Sequence, residues 1–201
     1  MKVLILAGML AAFSGLFFNA AKKDAGAQEA YAPGIEAAKR YVRDSGAGVP
    51  EAYGFSYALG QENFGVPGYR IADLDGDGTD ELLLGEGNVV YDLYTVSDGS
   101  LLHVLSGWER NRYYLCENGE IANESSSGAA DSAWEYYAFD GLRLSLAEAV
   151  LYDGNRDPEH PWFYTDGQSP KQEVSISETQ ADAVRGSYPY EEPGFLPFVS
   201  P

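Results

Sequence analysis

The chain has 201 residues, 45% hydrophobic and 13% aromatic, which suits a single domain with a sizeable core. Its 31 acids against 13 bases give a formal net charge of −18, which argues against nucleic acid and anionic membrane surfaces as partners. Most of these acids read as a solvated acidic surface.

In chain order, the first element is a targeting segment. Lys2 precedes an apolar run from Val3 to Phe18, and the small residues Ala20-Ala21 and Ala25-Gly-Ala27 follow. This is the layout of a cleavable signal peptide, residues 1–20, with cleavage expected between 20 and 27. The run is shorter than the roughly 20 residues a membrane span needs, so an uncleaved anchor is the second reading. The expected location is secreted or extracellular, with no membrane contact beyond the leader. A linker is expected over 21–31 and one β-rich domain over 32–201, as a monomer. No cysteine follows the apolar run, so lipidation there is not expected. The lone Cys116 cannot form an internal disulfide and reads as a buried core residue.

Ile35, Ala38, Tyr41 and Val42 recur at helical spacing, which predicts a helix over Pro33–Arg43 with Pro33 in its first turn. The Gly- and Pro-rich passage up to Gly68 gives no clear element. From Tyr69 to about residue 166 the pattern is β. The hairpin dipeptides Asp98-Gly99, Asn118-Gly119, Asp140-Gly141, Asp153-Gly154 and Asp166-Gly167 supply the positive φ that tight turns need. Between them, strands are expected at Val89–Val96, Leu101–Leu105, Arg112–Cys116, Trp134–Phe139 and Leu142–Tyr152. Ser125–Ser132, all small or polar, reads as a loop. Ser177-Glu-Thr-Gln180 is a capping box that opens a short helix through Ala181, Val184 and Arg185. The apolar tail Phe195–Val199 is expected to fold back on the sheet. The fold class is therefore mainly β (α+β): an antiparallel hairpin meander of about six to eight strands with an N-terminal and a short C-terminal helix.

The most specific motif is Asp73-Leu-Asp-Gly-Asp-Gly-Thr-Asp-Glu81, lying between the strand-like stretches Tyr69–Ala72 and Leu82–Leu84. Carboxylates at positions 1, 3, 5 and 9 (Asp73, Asp75, Asp77 and Glu81) aim hard oxygens at one point. The backbone carbonyl of Thr79 is the natural fifth ligand, with water to complete the shell. Six to eight oxygens at about 2.3–2.6 Å is what Ca2+ takes. Gly76 and Gly78 permit the sharp turns. Position 12 is Leu84 rather than a bidentate Glu, so a helix-loop-helix site is disfavoured.

The strand–DxDGDGxxE–strand arrangement over about Ile71–Leu84 resembles the calcium loops of FG-GAP (integrin-type) and VCBS repeat proteins. One copy does not support a propeller. The wider stretch from Tyr69 through Val90-Tyr-Asp-Leu-Tyr94 to Arg112-Tyr-Tyr-Leu115 resembles a group of secreted or lipid-anchored Gram-positive gut-bacterial proteins of unassigned function. That resemblance implies calcium and export and adds no catalytic residue.

Other chemistry is thin. Asp153-Gly-Asn-Arg-Asp157 alternates acids and amides but reads as a turn. His103 and His160 lack any zinc-ligand partner spacing and read as structural or surface residues. No nucleophile elbow, phosphate loop or dinucleotide fingerprint is present. Trp108, Trp134, Trp162 and fifteen tyrosines read first as β core. If some line an exposed strip, a module binding glycan, cell-envelope or protein ligands becomes the alternative. The expectation is an exported, non-catalytic protein stabilised by a calcium loop.

Overall fold

The computed structural model describes residues 29–45, 53–61, 65–167 and 172–198. The signal peptide and most of the linker lie outside the described residues. Eleven strands join in one antiparallel sheet, more than the sequence pattern predicts. They are β1 (Gly68–Ala72), β2 (Glu81–Glu86), β3 (Val89–Ser97), β4 (Ser100–Ser106), β5 (Asn111–Leu115) and β6 (Ile121–Gly128). The remainder are β7 (Asp131–Phe139), β8 (Leu144–Asp153), β9 (Trp162–Thr165), β10 (Val174–Ser175) and β11 (Leu196–Pro197). Helix α1 occupies residues 29–43 and α2 Glu178–Gly186.

The sheet runs β10-β9-β8-β7-β6-β5-β3-β2-β1-β11, so nearly every neighbour in space is a neighbour in sequence. Hairpin turns make this order. Asp98 and Gly99 both take positive φ, 52° and 72°, and join β3 to β4 in the two-residue turn that matches strand twist. Gly119 and Gly141 take φ of 85° and 82° in the β5–β6 and β7–β8 turns. Asp153-Gly154 departs from the expected hairpin: the Asp153 carboxylate accepts the N–H groups of Asn155 and Arg156, and a longer connection leads to β9. At β3 the sheet forks, because β4 and β5 share one edge. Val90 pairs with Tyr113, while residues 92–97 pair with β4.

Two expectations are corrected. Ser125–Gly128 is strand, not loop, and Asp131–Ser132 already belongs to β7. Ser125 pairs with Asn111 on one side and Ala133 on the other, and the Ser126 hydroxyl donates toward both Gly128 O and Asp131 O. Pairing on both edges overrides the weak strand preference of small residues. Helix α1 starts before Pro33 and takes in Glu29–Tyr31, which the linker assignment had excluded. Tyr31 is the reason: it is 1% exposed and anchors the helix on the sheet.

The uninterrupted apolar run of β2 is buried on both faces, as such runs are when covered twice. Leu82 and Leu84 meet Tyr31, Ile35, Ala38 and Tyr41 of α1 together with Tyr94. Leu83 meets Val90, Leu93, Leu105, Leu115 and Ile121 on the other side. Helix α2 has the expected capping box and lies against β9 and β8, and Tyr188, just past its end, stacks on Tyr136 of β7 at 3.6 Å. The tail returns as expected: β11 pairs with β1, Phe195 enters one core cluster and Phe198 the other.

One polar node sits inside the first cluster. Asp92 is fully buried, and its two oxygens accept the Ser56 N–H at 3.0 and 2.9 Å. His103 Nε2 lies 3.0 Å from Asp92 Oδ1, with the His103 ring stacked on Tyr94 at 4.5 Å. The Ser56 hydroxyl donates to Gly107 O. Burial raises the Asp92 pKa, opposed by His103 and the Ser56 N–H. His103 is therefore structural, as the sequence suggests.

Candidate metal centre

The loop between β1 and β2 is shaped by its glycines. Gly76 and Gly78 take φ of 78° and 95° in open space, so backbone conformation alone demands glycine there. The strands on either side are in register Ala72↔Glu81, which brings the first and last acids of the motif to the same end of the hairpin.

The loop's carboxylates then take up its own amides. Asp73 accepts Gly76 N–H at 2.9 Å and Gly78 N–H at 3.1 Å. Asp75 accepts Asp77 N–H at 3.1 Å, and Asp77 accepts Thr79 N–H at 2.5 Å. Glu81 Oε2 accepts Leu74 N–H at 3.0 Å, tying the exit of the loop to its entrance. Of the five residues the motif singles out, Asp73, Asp75 and Glu81 converge, each offering an oxygen within 4.8 Å of the others. Asp77 and Thr79 stand outside that trio, and Thr79 is exposed.

Glu81 has no solvent exposure. Its other contact is the Thr95 hydroxyl, at 3.3 Å. Burial pushes its pKa up to about 7, against the Leu74 and Thr95 hydrogen bonds and with help from the charges of Asp75 and Asp77. At an effective dielectric of about 20, each pair of charges in the trio repels by about 3–4 kcal/mol. A cation among them would reverse that sign. Among the described residues, this is the one group of three or more His, Cys, Asp and Glu side chains placed to hold a metal ion.

Three contacts to the loop carry no sequence signal because they are distant along the chain. The Tyr31 hydroxyl donates to Asp80 O at 2.6 Å, linking α1 to the loop. Thr95 of β3 reaches Glu81. The β7–β8 turn lies against the loop, such that a Cβ on Gly141 would sit 2.9 Å from Asp75 Oδ2 and 3.5 Å from Asp77 Oδ2.

The remaining sequence candidates stay apart from this centre. Asp153 and Asp157 cap turns with their carboxylates, and His160 faces Asp157 at 3.5 Å on the surface. Cys116 is buried and free, and burial pushes its thiol up to about 11, which suits a core residue. No family model, curated protein or solved structure matches the chain.

Proposed function

We propose that this is an exported, non-catalytic protein whose Asp73–Glu81 loop binds Ca2+ and thereby stabilises the sheet. The observation that carries the reading is the convergence of the fully buried Glu81 with Asp73 and Asp75. A set of oxygen donors without nitrogen or sulfur suits a hard cation. An irregular loop of carboxylates suits Ca2+, whose shell tolerates variable geometry, better than Mg2+, which demands a near-ideal octahedron. Asp77, the Thr79 carbonyl and water would complete the shell, in keeping with the FG-GAP and VCBS resemblance. The leader supports export. Recovery of an intact Met1 form from membranes would replace export with anchoring, and substrate turnover lost on changing an acid outside Asp73–Glu81 would make the protein an enzyme.

Calorimetry on the chelator-treated protein tests the metal. One Ca2+ is expected to bind with Kd of about 10⁻⁴–10⁻³ M, and Mg2+ more weakly. Gly141→Ala should weaken Ca2+ binding, because its Cβ crowds Asp75 Oδ2 and the φ of 82° costs an L residue about 1–2 kcal/mol. A flat Ca2+ titration of the wild type would remove this reading.

A further inference from the structure

One face of the sheet is covered at two places. Helix α1 packs with Leu82, Leu84, Tyr91 and Tyr94, while Tyr188 and Tyr190 pack with Tyr114 and Tyr136, and Val89 touches both groups. Between the two covers lies a depression of about 400 Å³, lined by Glu86, Val89, Tyr91, Arg112, Tyr114 and Tyr190. The strand register puts its walls on this one face. Val90 pairs with Tyr113 and packs on the opposite side, which turns Val89, Arg112 and Tyr114 this way. Leu84 pairs with Asp92 and Gly85 with Val90, so Tyr91 is the extra residue of a bulge and joins the α1 cluster. Bulges re-aim side chains in this manner.

Two opposite charges meet the depression. Glu86 is 4% exposed; its Oε1 accepts the Tyr91 hydroxyl at 2.7 Å and its Oε2 the Gly65 N–H at 3.0 Å. A carboxylate offers about four acceptor positions, so about two remain open. Arg112 donates from Nε to Glu109 O at 3.1 Å. Burial raises the pKa of the Tyr91 and Tyr114 hydroxyls, and the Arg112 charge opposes that rise in both. Glu124 accepts the Tyr190 hydroxyl at 2.8 Å and does not line the depression.

We propose that this depression binds a free α-amino acid with an apolar or aromatic side chain. The ammonium donates to the open positions of Glu86. The carboxylate accepts from Arg112, whose planar fork suits it. The side chain lies against Val89, Tyr91 and the Tyr114–Tyr190 pair, stacked at 4.4 Å. An anion would have to face the buried Glu86, and a simple cation would have to face Arg112. A zwitterion satisfies both, and being neutral it is not repelled by the net charge of −18. The space is within the usual range for small-molecule sites. No residue of Asp73–Glu81 lines it, so this inference does not rest on the calcium reading.

The test is calorimetry of the full-length mature protein with L-phenylalanine, L-leucine and L-methionine. Each is compared with its decarboxylated amine and its deaminated acid, which for phenylalanine are phenethylamine and 3-phenylpropionate. At least one amino acid is expected to saturate, with its amine and its acid each about tenfold weaker or more. Arg112→Gln should weaken the amino acid about tenfold and leave its amine unchanged, and Glu86→Gln should weaken the amino acid and leave its acid unchanged. A merely structural role would weaken all three ligands alike. Arg112 is only half-buried, so Arg112→Gln decides alone if circular dichroism shows Glu86→Gln to be unfolded. The proposal falls if no amino acid saturates below about 10 mM, or if an amine or acid binds as tightly as its parent. It also falls if Arg112→Gln spares the amino acid or weakens the amine equally. Tighter binding of phenylalanylglycine than of phenylalanine would replace the free amino acid with a peptide.

Discussion

Free Ca2+ at a hundredfold above its Kd is expected to stabilise the folded protein by about 2.7 kcal/mol. For a domain of this size that raises the unfolding midpoint by roughly 5–10 °C. Asp75→Ala should abolish most of the shift, because it removes one of the three converging oxygens. Its chelator-treated form should be little worse than wild type, since the substitution also relieves repulsion within the trio. Glu81→Gln should behave more sharply. The folded pKa of Glu81 is raised from 4.5 to about 7, so its contribution to the metal-free protein is fully present below pH 4.5 and is lost as pH rises through 7. At pH 8 in EDTA, the uncharged Glu81→Gln variant should therefore be more stable than wild type, by on the order of 1–3 kcal/mol. In excess Ca2+ the order should reverse. Asp98→Asn, in the β3–β4 turn where Asn tolerates the φ of 52°, should keep the full calcium response. Thermal unfolding of these proteins in EDTA and in graded Ca2+ decides the matter. A wild-type midpoint indifferent to Ca2+ would refute the stabilising role of the loop.

Asp92→Ala is expected to cost about 3–5 kcal/mol, the largest single-residue loss in the protein outside its apolar clusters. The substitution leaves the Ser56 N–H and the His103 ring without the carboxylate that both of them meet, in a place shut off from solvent. It also releases the 3₁₀ turn Tyr57–Gly60, whose buried Leu59 sits in the α1 cluster. His103→Ala should cost less at low pH and more as pH rises. The Asp92 pKa is already raised by burial, and losing His103 raises it further, so the folded state loses stability as that carboxyl ionises. Leu142→Ala, 48% exposed, is the neutral comparison. Urea unfolding at pH 5 and pH 8 checks both expectations. Equal losses for His103→Ala at the two pH values would contradict the paired-carboxylate account.

Much of the sheet is legible in the sequence because its rules are local. Asp98-Gly99 and Asp140-Gly141 announce hairpins through backbone conformation alone, and Ser177–Gln180 announces α2 through the groups it satisfies. The strand at Ser125–Gly128 is hidden for the opposite reason: its pairing comes from β5 and β7, and the residues themselves carry little preference. The β3 fork is equally silent, since nothing in Val90 says that it will face Tyr113 while Asp92 faces Ser106. At the metal centre, spacing identifies the acids, and the structure brings three of the five motif residues together. Spacing could not show that Glu81 is buried or that Gly141 and Tyr31 come to rest against the loop. Those contacts depend on the finished sheet.

The return of residues 188–198 has a consequence for how the protein is made. Glu191 N–H donates to Leu115 O, Pro189 O accepts from Glu117 N–H, and Leu196 pairs with Tyr69. The hairpins from β3 to β8 can each close soon after they emerge, as can β1 with β2, but the other edge of β1 waits for a partner 127 residues later in the chain. At about 5–20 residues per second, a nascent chain carries an unsealed strand edge for roughly 6–25 s. An open edge of this kind is a template for pairing with another chain. The interval before the tail arrives is therefore when a growing polypeptide is most prone to self-association, and when a chaperone holding that edge would most improve the yield.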